Sequence, residues 1–203
     1  MTTTVMLVRH AQTKSNVTGH YMGWSDEDLN EVGSAQARGL SRRLGSLPVA
    51  SVYTSPLRRA YTTAAILAEP HKLKLQVLDD LIEIRPGDWE GLDINQVKLR
   101  WPELWRQYRV DPSDVALPGG ESFRQITERA IRALNTVVSV EDGKLAVIVS
   151  HEAIVKVLVA HILGVGNSIY RRFEIANASF TVLRVTDSRY RLVTLDDTSH
   201  LQD

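Results

Sequence analysis

Short, unbroken apolar runs alternate along this chain with longer stretches in which apolar residues recur every three or four positions. The runs Val5–Val8 and Lys144–Val149 read as strands buried within the sheet, and Ala50–Thr54 reads as a further strand. Leu73–Leu78 reads as a shorter strand. Ser179–Val185 and Tyr190–Leu195 read as late strands, an edge hairpin turned at Asp187–Ser188.

The helical stretches carry end signals. Asn30 is expected to cap a helix with Val32, Ala35, Leu40 and Leu44 on its apolar side. Ser55-Pro56 reads as an N-cap and first-turn proline, opening a helix with Leu57, Ala60, Tyr61, Ala64, Leu67 and Ala68 on one face. Two short helices are predicted at Ile94–Arg100 and Pro102–Arg109, then a loop over Asp111–Glu121, which holds two prolines and two glycines. Ser122 and Gln125 form a capping box for a helix aligning Phe123, Ile126, Ala130, Leu134 and Val137. Glu152–Leu163 is a strongly apolar helix stopped by Gly164. Strands alternating with helices predict an α/β three-layer sandwich, a mostly parallel sheet with helices on both faces, made mixed by the C-terminal pair. Residues 1–203 form one domain in this reading, with a lid or specificity segment over 93–121. In such sheets ligands sit at the carboxyl ends of the strands.

Composition narrows the chemistry. The 24 Lys+Arg balance the 24 Asp+Glu, so a broad attraction to nucleic acid or an anionic membrane is not expected. The absence of cysteine excludes disulfides, Cys-ligated zinc and a cysteine nucleophile. Nothing has the length of a membrane span, and the expected location is cytoplasmic.

Two strands run into the same residue type, Val8 into Arg9-His10 and Val149 into Ser150-His151. Either histidine alone reads as a structural residue with a satisfied hydrogen bond. Two at one mouth of the sheet, the first preceded by arginine, point to a shared site. Arg59 lies in the first turn of the Ser55-Pro56 helix, where free N–H groups and the helix dipole favour an anion and an arginine adds a bidentate grip on phosphate. Arg58 is its rival, and composition does not choose between them. Glu83 could protonate a leaving oxygen; Asp88 and Glu90 are its local competitors. Asp26-Glu27-Asp28 follows Gly23-Trp24-Ser25 rather than an apolar strand and reads as a solvated loop.

Together these pieces resemble the histidine phosphatase, or phosphoglycerate mutase-like, superfamily. The resemblance rests on Leu7-Val-Arg-His-Ala-Gln-Thr-Lys-Ser-Asn16, Gly23-Trp24 with Leu29 and Gly33, Thr54-Ser-Pro-Leu-Arg-Arg-Ala-Tyr-Thr-Thr-Ala64, Glu83 through Gly91, Pro118-Gly-Gly-Glu-Ser122, Val149-Ser-His151 and Asp196 to Leu201. That register selects Arg59 over Arg58. It implies a metal-independent phosphatase that needs no cofactor and acts on a small phosphate ester, with His10 as nucleophile. Glu83 would be the acid and base, and Arg9, Arg59, His151 and Asn16 would hold the phosphate, near Gly23 and Glu152. Two positions depart from the family. Ala11 replaces a glycine, tolerable unless the backbone needs φ > 0. Glu152 replaces another; turned inward it would repel phosphate, so it is expected to point away, where the helix start favours its charge.

The stretch Ile84-Arg-Pro-Gly-Asp-Trp-Glu90 looks like the phosphatase branch, which leaves a mutase as the first alternative and a non-catalytic phosphate-binding homologue as the second. A homodimer is the expected assembly, if there is one. Among the other histidines, none of His20, His71, His161 and His200 has metal-ligand spacing. His161 reads as a core or interface residue and His200 as a brace for the fold. Trp89 is expected to pack near Glu83, and Trp101 and Trp105 to shape specificity at the lid.

Overall fold

The structure, a computed structural model, describes residues 1–201. It holds strands β1 (Thr2–Arg9), β2 (Val49–Thr54), β3 (Leu75–Val77), β4 (Leu145–Ser150), β5 (Phe180–Thr186) and β6 (Arg189–Asp197). The helices are α1 (Lys14–Thr18), α2 (Glu31–Leu44), α3 (Arg58–Ala68), α4 (Ile94–Arg100), α5 (Pro102–Val110), α6 (Phe123–Val140) and α7 (Glu152–Ile162). The strands form one sheet in the order β3-β2-β4-β1-β5-β6. The first four are parallel, and β5 and β6 run antiparallel.

Alternation along each strand builds the layers, because successive side chains point to opposite faces. Val5, Leu7, Ala146 and Ile148 pack under α6 and α7. Met6, Val8, Val147 and Val149 pack under α2 and α3. On the first face Trp89 is fully buried at the centre of an aromatic cluster. Tyr21 and Tyr108 lie 5.5 Å from it, Trp105 6.1 Å and Trp101 6.4 Å. Aromatic pairs at such distances add to area burial, and here they tie α4 and α5 to the core. No helix among the described residues is long and apolar enough to cross a membrane.

Local expectations fail where long-range packing takes over. Asn30 does cap α2, its side chain accepting from the Gly33 amide at 2.7 Å. The buried face of α2 is nevertheless Gly33, Ala37, Leu40 and Leu44, while Val32 and Ala35 face solvent. Tyr61 of α3 is likewise exposed. Helix α3 begins at Arg58, and Leu57, not Ser55, is its N-cap position. Asp26 takes the capping role instead, accepting from the Arg58 amide at 2.7 Å, so this residue of the acidic triplet is structural. His161 is exposed on α7 and outside the core. His200 is buried and packs on Phe180, ring centroids 5.9 Å apart.

Candidate active site

The pairing of β1 with β4 sets Val8 opposite Val149 and Arg9 opposite Ser150. His10 and His151 therefore leave the sheet side by side, with ring centroids 5.2 Å apart. Both are buried. His10 is held at both ends. Its amide donates to the Ser150 carbonyl at 2.8 Å, and its Nδ1 lies 2.8 Å from the Ala11 carbonyl oxygen. A carbonyl can only accept, so Nδ1 carries the proton and Nε2 keeps its lone pair. Burial, then the charges of Arg59 and Arg9, hold the His10 imidazole well below its usual range, which keeps it neutral.

His151 is completely buried, and its Nε2 lies 2.7 Å from the Ser55 hydroxyl. This is where the expected helix cap went: Ser55 meets a histidine 96 residues away. His151 is also held well below the usual imidazole range, by burial first and then by Arg59. Its Nδ1 is buried without a protein partner.

Seven of the eight site residues picked out in the sequence line one cavity of about 290 Å³: Arg9, His10, Asn16, Gly23, Arg59, Glu83 and Glu152. His151 stands behind His10 rather than on the cavity wall. Arg59 is 3% exposed and donates to the Gly23 carbonyl at 2.7 Å and the Ser25 carbonyl at 3.0 Å. Arg58 projects to solvent against Asp26. Gly23 has φ +46, and a Cβ there would sit 2.0 Å from Pro86 Cδ, so no larger residue fits beside Arg59. The Asn16 side-chain oxygen accepts from the Thr13 amide and from Asn177 Nδ2, both at 3.0 Å. Its own amide nitrogen is left to serve the cavity.

Arg9 shows how its charge is aimed. Nη1 donates to the Ile175 carbonyl and meets Glu152 at 3.1 Å, while Nε is buried without a protein partner. The pinned nitrogen leaves the Nε–Nη2 edge, the one suited to bidentate phosphate contact. Glu152 thus does not point away. Its carboxylate lines the cavity between Arg9 and Lys156, whose Nζ is 2.6 Å distant. Lys156 is itself buried. Flanking cations, Arg9 first, keep the Glu152 carboxylate below its usual range despite burial. The repulsion expected of an inward carboxylate is offset by these two partners. Ala11 has no positive φ and is fully buried, its amide donating to Thr63 Oγ1 at 3.1 Å.

Glu83 enters from the segment after β3. Burial raises its carboxyl above the usual range, against the Ile84 amide and Arg59, which lower it. The competitor Glu90 binds the Ser25 amide and hydroxyl instead, at 2.6 and 2.8 Å, and Asp88 is exposed. The Glu83 carbonyl accepts from Trp24 Nε1 at 2.8 Å and from Arg129 Nη2 at 3.0 Å. Arg129, which sequence reasoning missed, also donates to the carbonyls of Asp80 and Ile82 and pairs with Glu121 at 2.9 Å. This buried clamp explains the Pro118–Ser122 motif. Gly120 packs against residues 85–87 so closely that a Cβ would lie 2.2 Å from the Arg85 carbonyl oxygen.

The rim is apolar at Ile84, Pro86 and Ile94 and polar at Tyr21, Tyr108, Tyr170 and Arg171. Of the predicted lid, Ile94 and Tyr108 reach the cavity. Trp101 and Trp105 pack on Trp89 and are not part of its lining.

Comparison with known proteins agrees with this geometry. The sequence profile described as "Histidine phosphatase superfamily (branch 1)" matches residues 5–198. Phosphoserine phosphatase 1 of Hydrogenobacter thermophilus is 34% identical over 197 residues, covering 97% of this chain and 93% of that protein. The metal-independent phosphoserine phosphatase of Arabidopsis thaliana is 32% identical over 206 residues, covering 98% of this chain and 83% of that protein. The solved structure of Bacillus stearothermophilus YhfR superposes with a TM-score of 0.94 at 29% identity, covering 98% of this chain and all of that one. The chain therefore belongs to branch 1 of the histidine phosphatase superfamily, and its activity is that of a phosphomonoesterase.

Proposed function

We propose that the cavity hydrolyses small phosphate monoesters in two steps through a phosphohistidine on His10, without a metal. The observation that carries this is the His10 imidazole, neutral and fixed in one tautomer between Arg9 and Arg59. Phosphoryl transfer passes through a loose transition state with charge on three equatorial oxygens, so catalysis is positioning plus electrostatic stabilisation. Arg9, Arg59 and Asn16 supply the donors from the cavity wall, and buried His151, fixed by Ser55, braces the floor beside His10. Nε2 of His10 attacks phosphorus, and the P–O bond to the alcohol breaks. Glu83, whose raised range keeps a protonated fraction, gives its proton to the departing oxygen. In the second step the Glu83 carboxylate takes a proton from water. The resulting hydroxide attacks phosphorus, the P–N bond breaks, and His10, Glu83 and inorganic phosphate are regenerated.

Arg129, Trp24 and Glu121 act through Glu83 by holding its backbone. Glu152 acts through Arg9 by fixing which edge faces the substrate. A cavity of about 290 Å³ lies at the small end of ligand sites, which favours compact esters. Two relatives are named as phosphoserine phosphatases, which supports that substrate range. Segment 93–121 contributes Ile94 and Tyr108 to the rim and acts as the specificity segment of a single domain.

The test is hydrolysis of p-nitrophenyl phosphate in excess EDTA by wild type and His10→Ala, with trapping of acid-labile, base-stable label from a phosphodonor. Activity that survives EDTA, is lost in the variant and coincides with a label on His10 is expected. Activity abolished by EDTA, or retained by His10→Ala, overturns the route.

A further inference from the structure

Beyond the phosphate-holding residues, the cavity carries a second polar cluster that the mechanism does not use. Tyr108 comes from α5, Tyr170 and Arg171 from the segment after α7, and Tyr21 from the loop after α1. All four line the same cavity as His10. They touch one another. Arg171 Nη1 donates to the Tyr108 hydroxyl at 3.5 Å, and its guanidinium lies over the Tyr108 ring, 5.4 Å from the centroid. The ring of Tyr170 lies 6.4 Å from that of Tyr108, and Tyr21 packs on the same Trp89 ring as Tyr108. Tyr108 is wedged between Trp89 and Phe123, centroids 5.5 and 5.9 Å away, and Tyr170 packs edge-on to Phe123 at 4.8 Å. The hydroxyls are therefore presented by rings that cannot easily turn away.

The charges around the cavity leave one cation over. A phosphate dianion is matched by Arg9 and Arg59. The Glu152 oxygens are taken by Arg9 and by buried Lys156, at 3.1 and 2.6 Å. Arg171 adds to the field on Glu152, yet among the described residues it has no carboxylate within ion-pairing distance, and its polar partner is the Tyr108 hydroxyl. A guanidinium resting over an aromatic ring has less freedom left to lose and keeps N–H groups for an incoming anion. One unpaired positive charge complements a monoanion. A second phosphate would bring two negative charges. An ammonium would meet Arg171 with like charge while Glu152 is already occupied.

We propose that Arg171, with the hydroxyls of Tyr21, Tyr108 and Tyr170, forms a subsite for a carboxylate on the alcohol portion of the substrate, so that small phosphorylated hydroxy acids are the preferred class. This rests on the phosphomonoesterase reading above and specifies which esters that site selects. Arg171 contacts the non-reacting end of the substrate and acts on specificity rather than on the transferred phosphoryl group.

The experiment compares two esters that differ by one group, 3-phosphoglycerate and glycerol 3-phosphate, in which CH2OH replaces the carboxylate. The readout is the ratio of their kcat/KM values within each protein. A wild-type ratio of about ten or more, through KM more than kcat, is expected, because loss of a charge-assisted contact to a positioned arginine is strongly felt. Arg171→Ala should bring the ratio close to one, and Arg171→Lys, which keeps the charge without the fork, should fall between. Arg171 is exposed, so neither change disturbs the core. A wild-type ratio near one, a ratio unchanged in Arg171→Ala, or ethanolamine phosphate preferred over glycerol 3-phosphate would each overturn the subsite while EDTA-resistant hydrolysis of p-nitrophenyl phosphate still stood. If no ester turned over, the phosphatase route would be what failed. Calorimetric binding of the same pair to His10→Ala would then decide the subsite, since tighter binding of 3-phosphoglycerate supports it and equal binding overturns it.

Discussion

The floor and the rim of this cavity are built by different means. The floor is the carboxyl end of two adjacent parallel strands, where backbone register alone sets His10 beside His151 and Arg9 beside Ser150. Its polar atoms are buried and tied to backbone carbonyls at fixed distances. The rim is gathered from α4, α5, the loop after α1 and the segment after α7, and an aromatic cluster centred on Trp89 holds it in place. A sheet edge tolerates little change in register, because a one-residue slip turns every side chain to the other face. Loops packed on aromatic rings tolerate far more. The floor is thus suited to constant chemistry and the rim to selection among esters, with Glu83 joining the two.

That contrast can be broken or sharpened by substitution. The largest effect belongs to the floor. His10→Ala removes the nucleophile and should cost at least about 10⁴-fold in kcat/KM, equally for every ester, as steady-state assays with several substrates would check. Unequal losses would dissolve the distinction between floor and rim.

Arg129→Met comes next, in stability. It leaves the Glu121 carboxylate without its cation, the Asp80 and Ile82 carbonyls without their donor, and the Glu83 carbonyl with Trp24 alone. Breaking a buried pair on one side costs about 3–5 kcal/mol, read as a lower urea midpoint at unchanged m-value.

Glu83→Gln tests the joint. Alkyl phosphates, whose leaving oxygen needs a proton, should lose about 10²–10⁴-fold. p-Nitrophenyl phosphate, with a good leaving group, should lose far less. The pH profile follows from the directions of the two shifts. Protonating His10 removes its lone pair, so the acid limb of kcat/KM lies below the usual imidazole range. Deprotonating Glu83 removes the acid, so the alkaline limb lies above the usual carboxylate range. The variant should keep the first limb and lose the second.

Trp24→Phe is the mildest. It removes a donor to the Glu83 carbonyl at a partly exposed site, a bond of about 0.5–1.5 kcal/mol. A fall of two- to fivefold in kcat for alkyl phosphates, with p-nitrophenyl phosphate nearly unaffected, is expected.

Period and end signals made most of the fold legible in the chain itself. The run at Lys144–Val149 matches β4 to within one residue, and Val5–Val8 lies inside β1, which begins three residues earlier. The Asn30 and Ser122 caps stand where they were read. Asp187 and Ser188, at φ +49 and +61, turn the hairpin between β5 and β6. These features depend on residues within four or five positions of one another, and a linear pattern records such neighbours. The pairing of arginine and histidine at two strand ends, and the ordered family motifs, likewise brought Arg9, His10, Arg59, Glu83 and His151 forward as candidates before any contact was known.

Tertiary structure alone decided the rest. Ser55 looks like a helix cap until the sheet sets it against His151. Glu152 looks like a helix-start charge until β1 brings Arg9 to one of its oxygens, across from Lys156 one turn along α7. Val32 and Tyr61 continue an apolar stripe, yet layer packing leaves them in solvent. Arg129 and Arg171 carry no motif at all. One becomes a clamp because the Glu83 segment passes its helix, and the other becomes a rim cation because Tyr108 lies beneath it. The physical reason is range. Backbone preference and amphipathic period act over one or two turns, whereas these roles depend on partners 46 to 143 residues away, which are chosen only when the layers close.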